Sequence, residues 1–353
     1  MTVDPLIGLR DPVLADRVEL LHAWPAERYE RAAPCAVHYD GDATRAAYAA
    51  QYANRRAALG ASALVRLRDV QVQGKGLMMM DGRILRENVE GPSPEFLRQA
   101  AARRESPRTV VDEPVFYSTK YGVRNYGHCL LDIVPRIAWF ARRYPKVRIV
   151  LHTETLPVTA QILGMLGIGG ERLLFLDDRP ALLREAYFIE PWNRNPLVHG
   201  NNSFESMREL KQLATRAPSR GLPRRIFVTR DDARTRRLIN LKAVKAYLSG
   251  KGYEALNCGD LPFSEQVRRF DAAEEIVGIS GAALSNLVFC RAGTRVLNLA
   301  PASMPSLFFW DLAHHAALRY AIGYFAAHGA RGGIHVDFEV ELGALRTLFE
   351  ARW

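Results

Sequence analysis

Hydrophobic and polar residues alternate in the first third of the chain and take up a helical spacing further along. Val65, Leu67, Val70 and Val72 are separated by polar residues, and Gly and Asp-Gly turns follow within residues 63–87. Alternation broken by such turns is typical of antiparallel strands, so we predict a small N-terminal β-meander. Beyond it, short apolar runs alternate with amphipathic stretches. This predicts strands separated by helices, and therefore an α/β protein with parallel sheets.

The predicted strands and helices fall into two sets, separated by a loop rich in Asn, Pro and Gly at residues 191–202. The first set comprises strands 115–117, 147–151 and 173–176 and helices 128–143 and 157–166. The second set comprises helices 204–216, 241–250, 264–272, 283–290 and 306–318 and strands 225–229, 253–256, 275–279 and 295–299. We therefore expect two Rossmann-like lobes, over residues 1–203 and 204–330. A C-terminal segment, 331–353, is predicted to form a helix, capped by Asp337, that packs back on the first lobe.

One strand end in the second lobe carries small residues that suit an anionic ligand. Strand 275–279 leads through Ser280-Gly281-Ala282 into the helix that holds Asn286. Free N–H groups at a helix start, together with the helix dipole, favour phosphate or ribose-bearing ligands. Plain strand-to-helix packing, with glycine chosen to avoid a clash, explains the turn equally well.

A neighbouring strand in the same lobe ends on a cation. Strand 225–229 is followed by Arg230, and Arg237 and Asn240 come shortly after it. A guanidinium at one strand end and backbone N–H groups at the next predict a nucleotide-sugar site. Asn240 is also placed to cap the helix that follows it, and an arginine cluster by itself is often a solvated surface.

A second group of polar residues opens a helix in the first lobe. Asn125 precedes it, and His128, Asp132 and Arg136 follow at intervals of four residues. This spacing places the three side chains on one helix face, where the carboxylate is able to orient the imidazole or hold it protonated. Pro135 is expected to disturb the helix. A capped helix with a surface histidine and an Asp/Arg pair remains the alternative.

Charge and cysteine content narrow the class of protein. The 353 residues carry a formal net charge of +10, which suits anionic partners, but no dense basic run with interleaved aromatics predicts nucleic-acid binding. Four dispersed cysteines indicate free thiols in a reducing compartment. The N-terminal residues do not read as a signal peptide, and no stretch approaches the length of a membrane span. We expect a cytoplasmic protein, peripheral at the inner membrane where it contacts a membrane.

Three blocks together resemble glycosyltransferase family 61, a family that includes bacterial capsule-type enzymes of polysaccharide biosynthesis. The blocks are residues 125–136, 225–240 and 278–286, and the similarity spans roughly residues 63–350. The chain departs from the family at Ser280, where the family has a histidine before Gly-Ala. The resemblance implies a two-lobed GT-B fold, inversion at the anomeric carbon, no cofactor and no obligatory metal. It implies a nucleotide-sugar donor and a glycan or glycolipid acceptor.

This resemblance assigns expected roles to the residues already named. Arg230 and Arg237 would neutralise the leaving diphosphate, because guanidinium forks suit that charge. The turn and its flanks would hold phosphate or ribose through Ser280, Gly281, Ala282, Asn240 and Asn286. His128 or Asp132 would be the general base, with His128 ranked first. Other candidates for the acceptor side or the cleft are Asn125, Arg136, Trp192 and His199.

Two other functions fit parts of the sequence. Ser280 and the positive charge also suit a non-catalytic protein that binds an anionic glycan or a nucleotide sugar. Asp40-Gly41-Asp42 matches the metal-binding Asp-x-Asp motif of a metal-dependent transferase, although the same tripeptide is an ordinary turn. Donor turnover separates the first alternative from an enzyme, and activity in EDTA removes the second.

Overall fold

The structure, a computed structural model, describes residues 4–89, 92–103, 105–194, 198–216, 221–231, 235–304, 307–328 and 335–351. Within these residues, the α-helices are α1 (Gly41–Ala53), α2 (Pro94–Ala102), α3 (Tyr126–His128), α4 (Val134–Arg143), α5 (Pro157–Met165), α6 (Glu205–Ala214), α7 (Leu241–Ser249), α8 (Phe263–Ala272), α9 (Phe308–His315) and α10 (Leu342–Glu350). The strands are β1 (Leu6–Ile7), β2 (Val18–Trp24), β3 (Glu27–Glu30), β4 (Ala36–His38), β5 (Arg56–Leu59), β6 (Ser62–Gln73), β7 (Leu77–Met80), β8 (Arg83–Leu85), β9 (Thr109–Val111), β10 (Val115–Tyr117), β11 (Arg148–His152), β12 (Leu173–Leu176), β13 (Ala181–Ile189), β14 (Asn193–Arg194), β15 (Val198–His199), β16 (Arg225–Val228), β17 (Glu254–Leu256), β18 (Glu275–Ile279), β19 (Arg295–Pro301), β20 (Arg319–Phe325), β21 (Ala327–His328) and β22 (Asp337–Phe338).

The chain forms two compact α/β units whose boundaries differ from those of the predicted lobes. Unit 1 comprises residues 1–27, 59–195 and 200–206, and unit 2 comprises residues 28–58, 196–199 and 207–353. Residues 28–58 join unit 2 because β4 pairs in parallel with β20 at the edge of its sheet. A pairing between strands this far apart in sequence is not visible in a local hydrophobic pattern.

Unit 1 is built on a ten-stranded mixed sheet. The predicted meander is confirmed, since β6, β7 and β8 are antiparallel neighbours. It is not a separate small sheet, because β6 also pairs antiparallel with β13, a strand that the hydrophobic pattern did not predict. On its other side β13 pairs in parallel with β10, and β11 and β12 continue the parallel part. The strand β13 therefore joins the antiparallel and parallel halves.

Unit 2 contains a six-stranded sheet in the order β17-β16-β18-β19-β20-β4, in which all neighbours are parallel. Parallel strands are buried on both faces by helices. The helix α10 lies in this unit, where Leu345 and Leu348 join the same apolar cluster as Phe227 and Val277. The sequence pattern predicts that this helix packs on the first lobe. In the structure these apolar side chains hold it on unit 2, and Asp337 lies in β22 rather than at its start.

The predicted helix over 283–290 is a 3₁₀ helix, Ala282–Phe289. This tighter winding begins directly at the Ser-Gly-Ala turn after β18. No helix in the described part of the chain is long and apolar enough to cross a bilayer.

Candidate functional site

The helix that carries His128 contains one widened turn. It begins as α3, continues as a π-helical segment over Cys129–Ile133, and then runs on as α4. Pro135 is the second residue after the widened turn, in the first turn of α4, where a proline is tolerated. Isolated π turns inside α-helices often occur at functional positions. The π turn therefore makes this helix a candidate functional element.

His128 and Asp132 meet inside this helix, as their spacing predicts. Nδ1 of His128 lies 2.8 Å from Oδ2 of Asp132. Lys120 donates from Nζ to the same oxygen at 3.2 Å, and Nδ2 of Asn193 donates to Oδ1 at 2.6 Å. Asp132 is 5% exposed and Lys120 3% exposed, so the ion pair is shielded from water. We call these four residues the His128 group.

The charges around Asp132 decide its protonation. Burial pushes the pKa of this carboxyl upward, but the positive charge of Lys120 and the hydrogen bonds from His128 and Asn193 outweigh it. The pKa of Asp132 therefore lies well below its usual value, and the group is a carboxylate at neutral pH. A buried carboxylate at Nδ1 selects the tautomer that carries the proton there, which makes Nε2 the basic nitrogen.

A glycine supports the imidazole from the side. Gly122 has φ +100°, and a Cβ at this position would lie 2.7 Å from Cδ2 of His128. A side chain would therefore both strain the backbone and displace the ring. The side chain of His128 is 27% exposed, while its carboxylate partner is buried. The imidazole is thus held at its Nδ1 side and remains accessible to solvent.

Asn125 and Arg136, two of the candidates proposed for this region, hold the helix in place. Asn125 is the N-cap of α3, and its Oδ1 accepts from the backbone N–H of Gly127 at 2.9 Å. Arg136 is fully buried and donates to the carbonyl oxygens of Asp132 and Ile189, each at 2.8 Å. It ties the helix to β13 and supports the position of Asp132.

Trp192 and His199 are both buried, and the structure does not place either in the His128 group. The ring of Trp192 packs edge-on against that of Trp24 in unit 1, with centroids 5.1 Å apart. In unit 2, Nδ1 of His199 lies 2.8 Å from Oδ2 of Asp311, whose other oxygen binds Nε of Arg31 at 2.5 Å. Each of these contacts belongs to a packed interior.

The turn after β18 shows why small residues follow one another there. A Cβ on Gly278 would lie 2.4 Å from Cδ2 of Leu284, and a Cβ on Gly281 would lie 1.9 Å from Nη1 of Arg230. The first glycine lets the 3₁₀ helix pack over the strand. The second admits the guanidinium of Arg230, whose Nη1 donates to the carbonyl oxygen of Ser280 at 3.1 Å. The backbone of Gly281 is extended, with φ 176°, so the glycine is required for space.

Arg236 supplies a second cation beside Arg230. Its Nη1 donates to the sulfur of Met304 at 3.3 Å, and no described residue forms an ion pair with it. Burial and then the positive charge of Arg230 lower the pKa of Arg236 to about 10. Its backbone is left-handed, with φ 57°, which is unusual for a residue other than glycine. Two like charges are thus held close together, an arrangement that favours an anion.

Three other candidates in unit 2 contact protein groups. Nη2 of Arg237 donates to Asp337 at 2.6 Å, and the amide of Asn240 both donates to and accepts from the backbone of Val340. Asn286 is fully buried and donates to Oε1 of Gln266 at 2.9 Å. These contacts fasten the C-terminal segment to residues 237–240 and the 3₁₀ helix to α8.

Ser280 and Ala282 border the arginine pair. Ser280 is fully buried, and its Oγ makes no hydrogen bond to any part of the chain that the structure describes. Ala282 is the first residue of the 3₁₀ helix. Together with Gly281 they bring small side chains and backbone N–H groups to the end of β18. We call Arg230, Arg236, Ser280, Gly281 and Ala282 the arginine turn.

Asp40 and Asp42 lie at the start of α1. Asp40 is its N-cap residue, and its carbonyl accepts from Oγ1 of Thr44 at 2.8 Å. Asp42 lies in the first turn, where an acidic side chain is stabilised by the helix dipole. In the ranges that the structure describes, no three His, Cys, Asp or Glu side chains are grouped as metal ligands.

Sequence reasoning did not single out three residues of these groups. Lys120 and Asn193 are distant from Asp132 in the chain, and only Lys120 had a signal, since it lies three residues after the predicted strand 115–117. Arg236 belongs to the predicted cluster, but the sequence pattern favoured its neighbour Arg237. The left-handed backbone of Arg236 and its electrostatic contact with Arg230 cannot be read from residue types.

Comparison with known proteins relates both groups to one family. The family model described as Glycosyltransferase 61 matches residues 126–297. The match contains His128, Asp132 and the whole arginine turn, and is narrower than the span of 63–350 expected from the sequence. No curated protein matches the chain.

Proposed function

We propose that this chain, a glycosyltransferase of family 61 by its match over residues 126–297, moves a sugar from a nucleoside diphosphate to a glycan or glycolipid acceptor. The reaction inverts the anomeric carbon and needs no metal ion. The observation that carries the proposal is the pair of guanidinium groups in the arginine turn, where burial and then the positive charge of Arg230 lower the pKa of Arg236. A diphosphate relieves that repulsion.

The arginine turn acts on the leaving group in this proposal. As the bond between C1 of the sugar and the phosphate oxygen breaks, negative charge develops on the diphosphate. Arg230 and Arg236 neutralise it with forked, permanently charged donors. The hydroxyl of Ser280 and the N–H groups at the start of the 3₁₀ helix add uncharged donors. Fixed positive charge takes the part that a divalent ion plays in metal-dependent transferases.

The His128 group acts on the acceptor. Nε2 of His128 takes the proton of the acceptor hydroxyl. At the same time, the hydroxyl oxygen forms a bond to C1 of the donor sugar, on the face opposite the leaving diphosphate. A single displacement of this kind inverts the configuration. Asp132 is the orienting carboxylate, because it is buried and already ionised, and it stabilises the imidazolium that forms. General-base assistance is typically worth ~10²–10⁴ in rate.

The proposal extends to fold type, setting and acceptor. Two α/β units with parallel strands suit the GT-B type of glycosyltransferase. Four free cysteines suit a reducing compartment such as the cytoplasm. The net charge of +10 suits peripheral contact with an anionic inner membrane, where a bacterial enzyme would meet the lipid-linked precursor of a capsular or related polysaccharide.

Release of nucleoside diphosphate tests the proposal. The full chain is incubated with UDP-, GDP- and dTDP-sugars and a panel of methyl glycosides, with and without EDTA. We expect one donor to be consumed in the presence of EDTA, and NMR of the product to show the opposite anomeric configuration. Loss of activity in EDTA, restored by Mg²⁺ or Mn²⁺, would contradict metal independence and favour a role for Asp40 and Asp42. Retention of configuration would contradict the single displacement.

A further inference from the structure

Two exposed aromatic side chains lie together on unit 1. Tyr121 is 50% exposed and Phe96 is 46% exposed, and their ring centroids are 6.5 Å apart. Single apolar side chains at a surface are ordinary, whereas neighbouring ones mark binding sites more often. Neither ring takes part in the His128 group or in the apolar clusters of unit 1. Their role is therefore unexplained by folding.

The backbone that carries Tyr121 is held firmly from below. Asn88 donates to the carbonyl oxygens of Gly76 and Thr119, at 2.5 and 3.3 Å. Gly76 packs so closely on this segment that a Cβ there would lie 2.4 Å from Cα of Lys120. Lys120 in turn is bound to Asp132. The exposed ring thus extends from a fixed base, which lowers the entropy lost when a ligand stacks on it.

The same segment reaches the proposed base within one residue. Gly122, next in the chain after Tyr121, is the glycine that packs against the imidazole of His128. Consecutive Cα atoms are about 3.8 Å apart, so the tyrosine and the support of the imidazole are immediate neighbours. The backbone that carries Tyr121 therefore continues directly into the residue that packs against His128.

Charged side chains also follow the strand ends at this edge of the sheet. Tyr121 follows the end of β10, and Glu154 follows the end of the adjacent β11, at the sheet edge where α/β proteins bind ligands. Glu154 pairs with Nζ of Lys75 at 2.5 Å and lies 3.9 Å from Nη1 of Arg124. Exposed aromatic rings beside mixed charges match a ligand that has one apolar face and a polar rim. A sugar ring has both, whereas a lipid surface would call for a wider apolar patch and positive charge alone.

We propose that Tyr121 and Phe96 form the acceptor subsite, and that its occupant is the terminal sugar ring of a saccharide acceptor. The apolar face of the ring stacks on Tyr121, and one of its hydroxyl groups is presented to His128. Glu154 and Arg124 contact hydroxyl groups at the rim. This inference rests on the proposed function, because it takes His128 as the base.

Saturation-transfer NMR on the full chain tests the subsite directly, with methyl glycosides of glucose, galactose, mannose, N-acetylglucosamine and xylose as probes. We expect wild-type protein to saturate the ring protons of at least one glycoside. Tyr121→Ala should lose that signal and Tyr121→Trp should keep it. Phe175→Ala, which removes an equally exposed ring on β12, should change nothing.

Kinetics with the same glycoside give the second readout. Tyr121→Ala should raise the acceptor KM about three- to ten-fold, the range for loss of one aromatic contact, with kcat and the KM for donor unchanged. An unchanged NMR signal in Tyr121→Ala, or wild-type protein that binds none of the glycosides, would overturn the subsite. Loss of co-sedimentation with phosphatidylglycerol vesicles in Tyr121→Ala, while the glycoside signal persists, would overturn it in favour of a lipid contact.

These outcomes separate the subsite from the proposed reaction. If glycoside binding depends on Tyr121 but no nucleotide sugar is consumed, a saccharide site at Tyr121 stands, whereas the proposed reaction and the acceptor role of that site fail. If donor is consumed normally and Tyr121→Ala has no effect on either readout, the reaction stands and the subsite fails. Circular dichroism of each variant confirms that the exposed substitution leaves the fold intact.

Discussion

The His128 group and the arginine turn differ in how their charges are balanced. In the first, the carboxylate of Asp132 has the ammonium group of Lys120 at 3.2 Å, and both are buried. In the second, Arg230 and Arg236 have the same sign, and no described residue pairs with Arg236. The His128 group therefore holds its opposite charges together, whereas the arginine turn holds two like charges close together.

This difference suits the work that each group is proposed to do. A base must have its orientation and tautomer settled in advance, because it acts in the transition state and gains nothing from rearranging there. A diphosphate site benefits from neighbouring positive charges, since an anion that binds between them relieves their repulsion. The His128 group is thus ordered before a substrate binds, whereas the arginine turn holds two like charges close together.

The largest effect is expected for His128→Ala. Turnover should fall by ~10²–10⁴, the usual value of a general base, while affinity for the nucleoside diphosphate stays at the parental level because the arginine turn is untouched. Initial rates and isothermal titration measure the two quantities. The exposed His22 offers a matched control, and His22→Ala should keep full activity. A His128→Ala protein that transfers sugar at the parental rate would make His128 structural.

The buried ion pair is broken by Lys120→Met. Asp132 is then left as a buried charge without its cation, and the free energy of unfolding should fall by about 3–5 kcal/mol. Urea denaturation measures the change. The double variant Lys120→Met/Asp132→Asn should recover part of the loss, because it removes both charges. Arg98→Met, which breaks the exposed pair with Glu95, should have a far smaller effect. Equal losses in Lys120→Met and Arg98→Met would contradict the buried role.

Donor binding should depend on the arginine turn. Arg230→Ala and Arg236→Gln should each weaken binding of UDP, GDP or dTDP by roughly 1.5–3 kcal/mol, the scale of a charge-assisted hydrogen bond. Arg230→Lys should restore this only in part, since lysine lacks the fork. Isothermal titration gives the affinities. Wild-type affinity in Arg236→Gln would show that Arg236 does not bind the diphosphate and that Arg230 is the relevant cation.

The pH dependence of stability should report Asp132. Its pKa is lower in the folded state than in the unfolded chain, so its stabilisation is present above the unfolded value of about 3.9. That stabilisation is lost as the pH falls from there through the folded pKa. Below pH 4, the unfolding free energy of wild-type protein should drop more steeply than that of Asp132→Asn. Parallel curves for the two proteins would contradict an ionised Asp132. The same variant should also lower turnover, because the amide misorients His128.

The smallest effect is expected for Arg237→Ala. Its guanidinium already binds Asp337 in an exposed pair, so affinity for the nucleoside diphosphate should stay within about two-fold of wild type. The comparison with Arg236→Gln in the same titration is decisive, because the two residues are adjacent. A larger loss for Arg237→Ala than for Arg236→Gln would return the diphosphate role to Arg237.

Local features of the chain were predictable because they depend on neighbours in sequence. The four-residue spacing of His128 and Asp132, the helix start at Asn125 and the small residues around Gly281 each correspond to contacts within one turn or one strand end. The alternation of short apolar runs with amphipathic stretches likewise predicted most of the parallel strands and the helices between them. The strands β13 and β20 escaped prediction, and their roles depend on partners elsewhere in the sheets.

By itself, the sequence determined the α/β class, the pairing of His128 with Asp132 and the presence of cations near the turn after β18. Only the tertiary structure decided that Lys120 and Asn193 hold Asp132 ionised, that Arg236 faces Arg230 while Arg237 binds Asp337, and that α10 belongs to unit 2. The physical reason is distance along the chain. Helix spacing and turn chemistry act over a few residues, whereas burial, counter-charge and hydrogen-bond partners are set by segments that meet only in the folded protein.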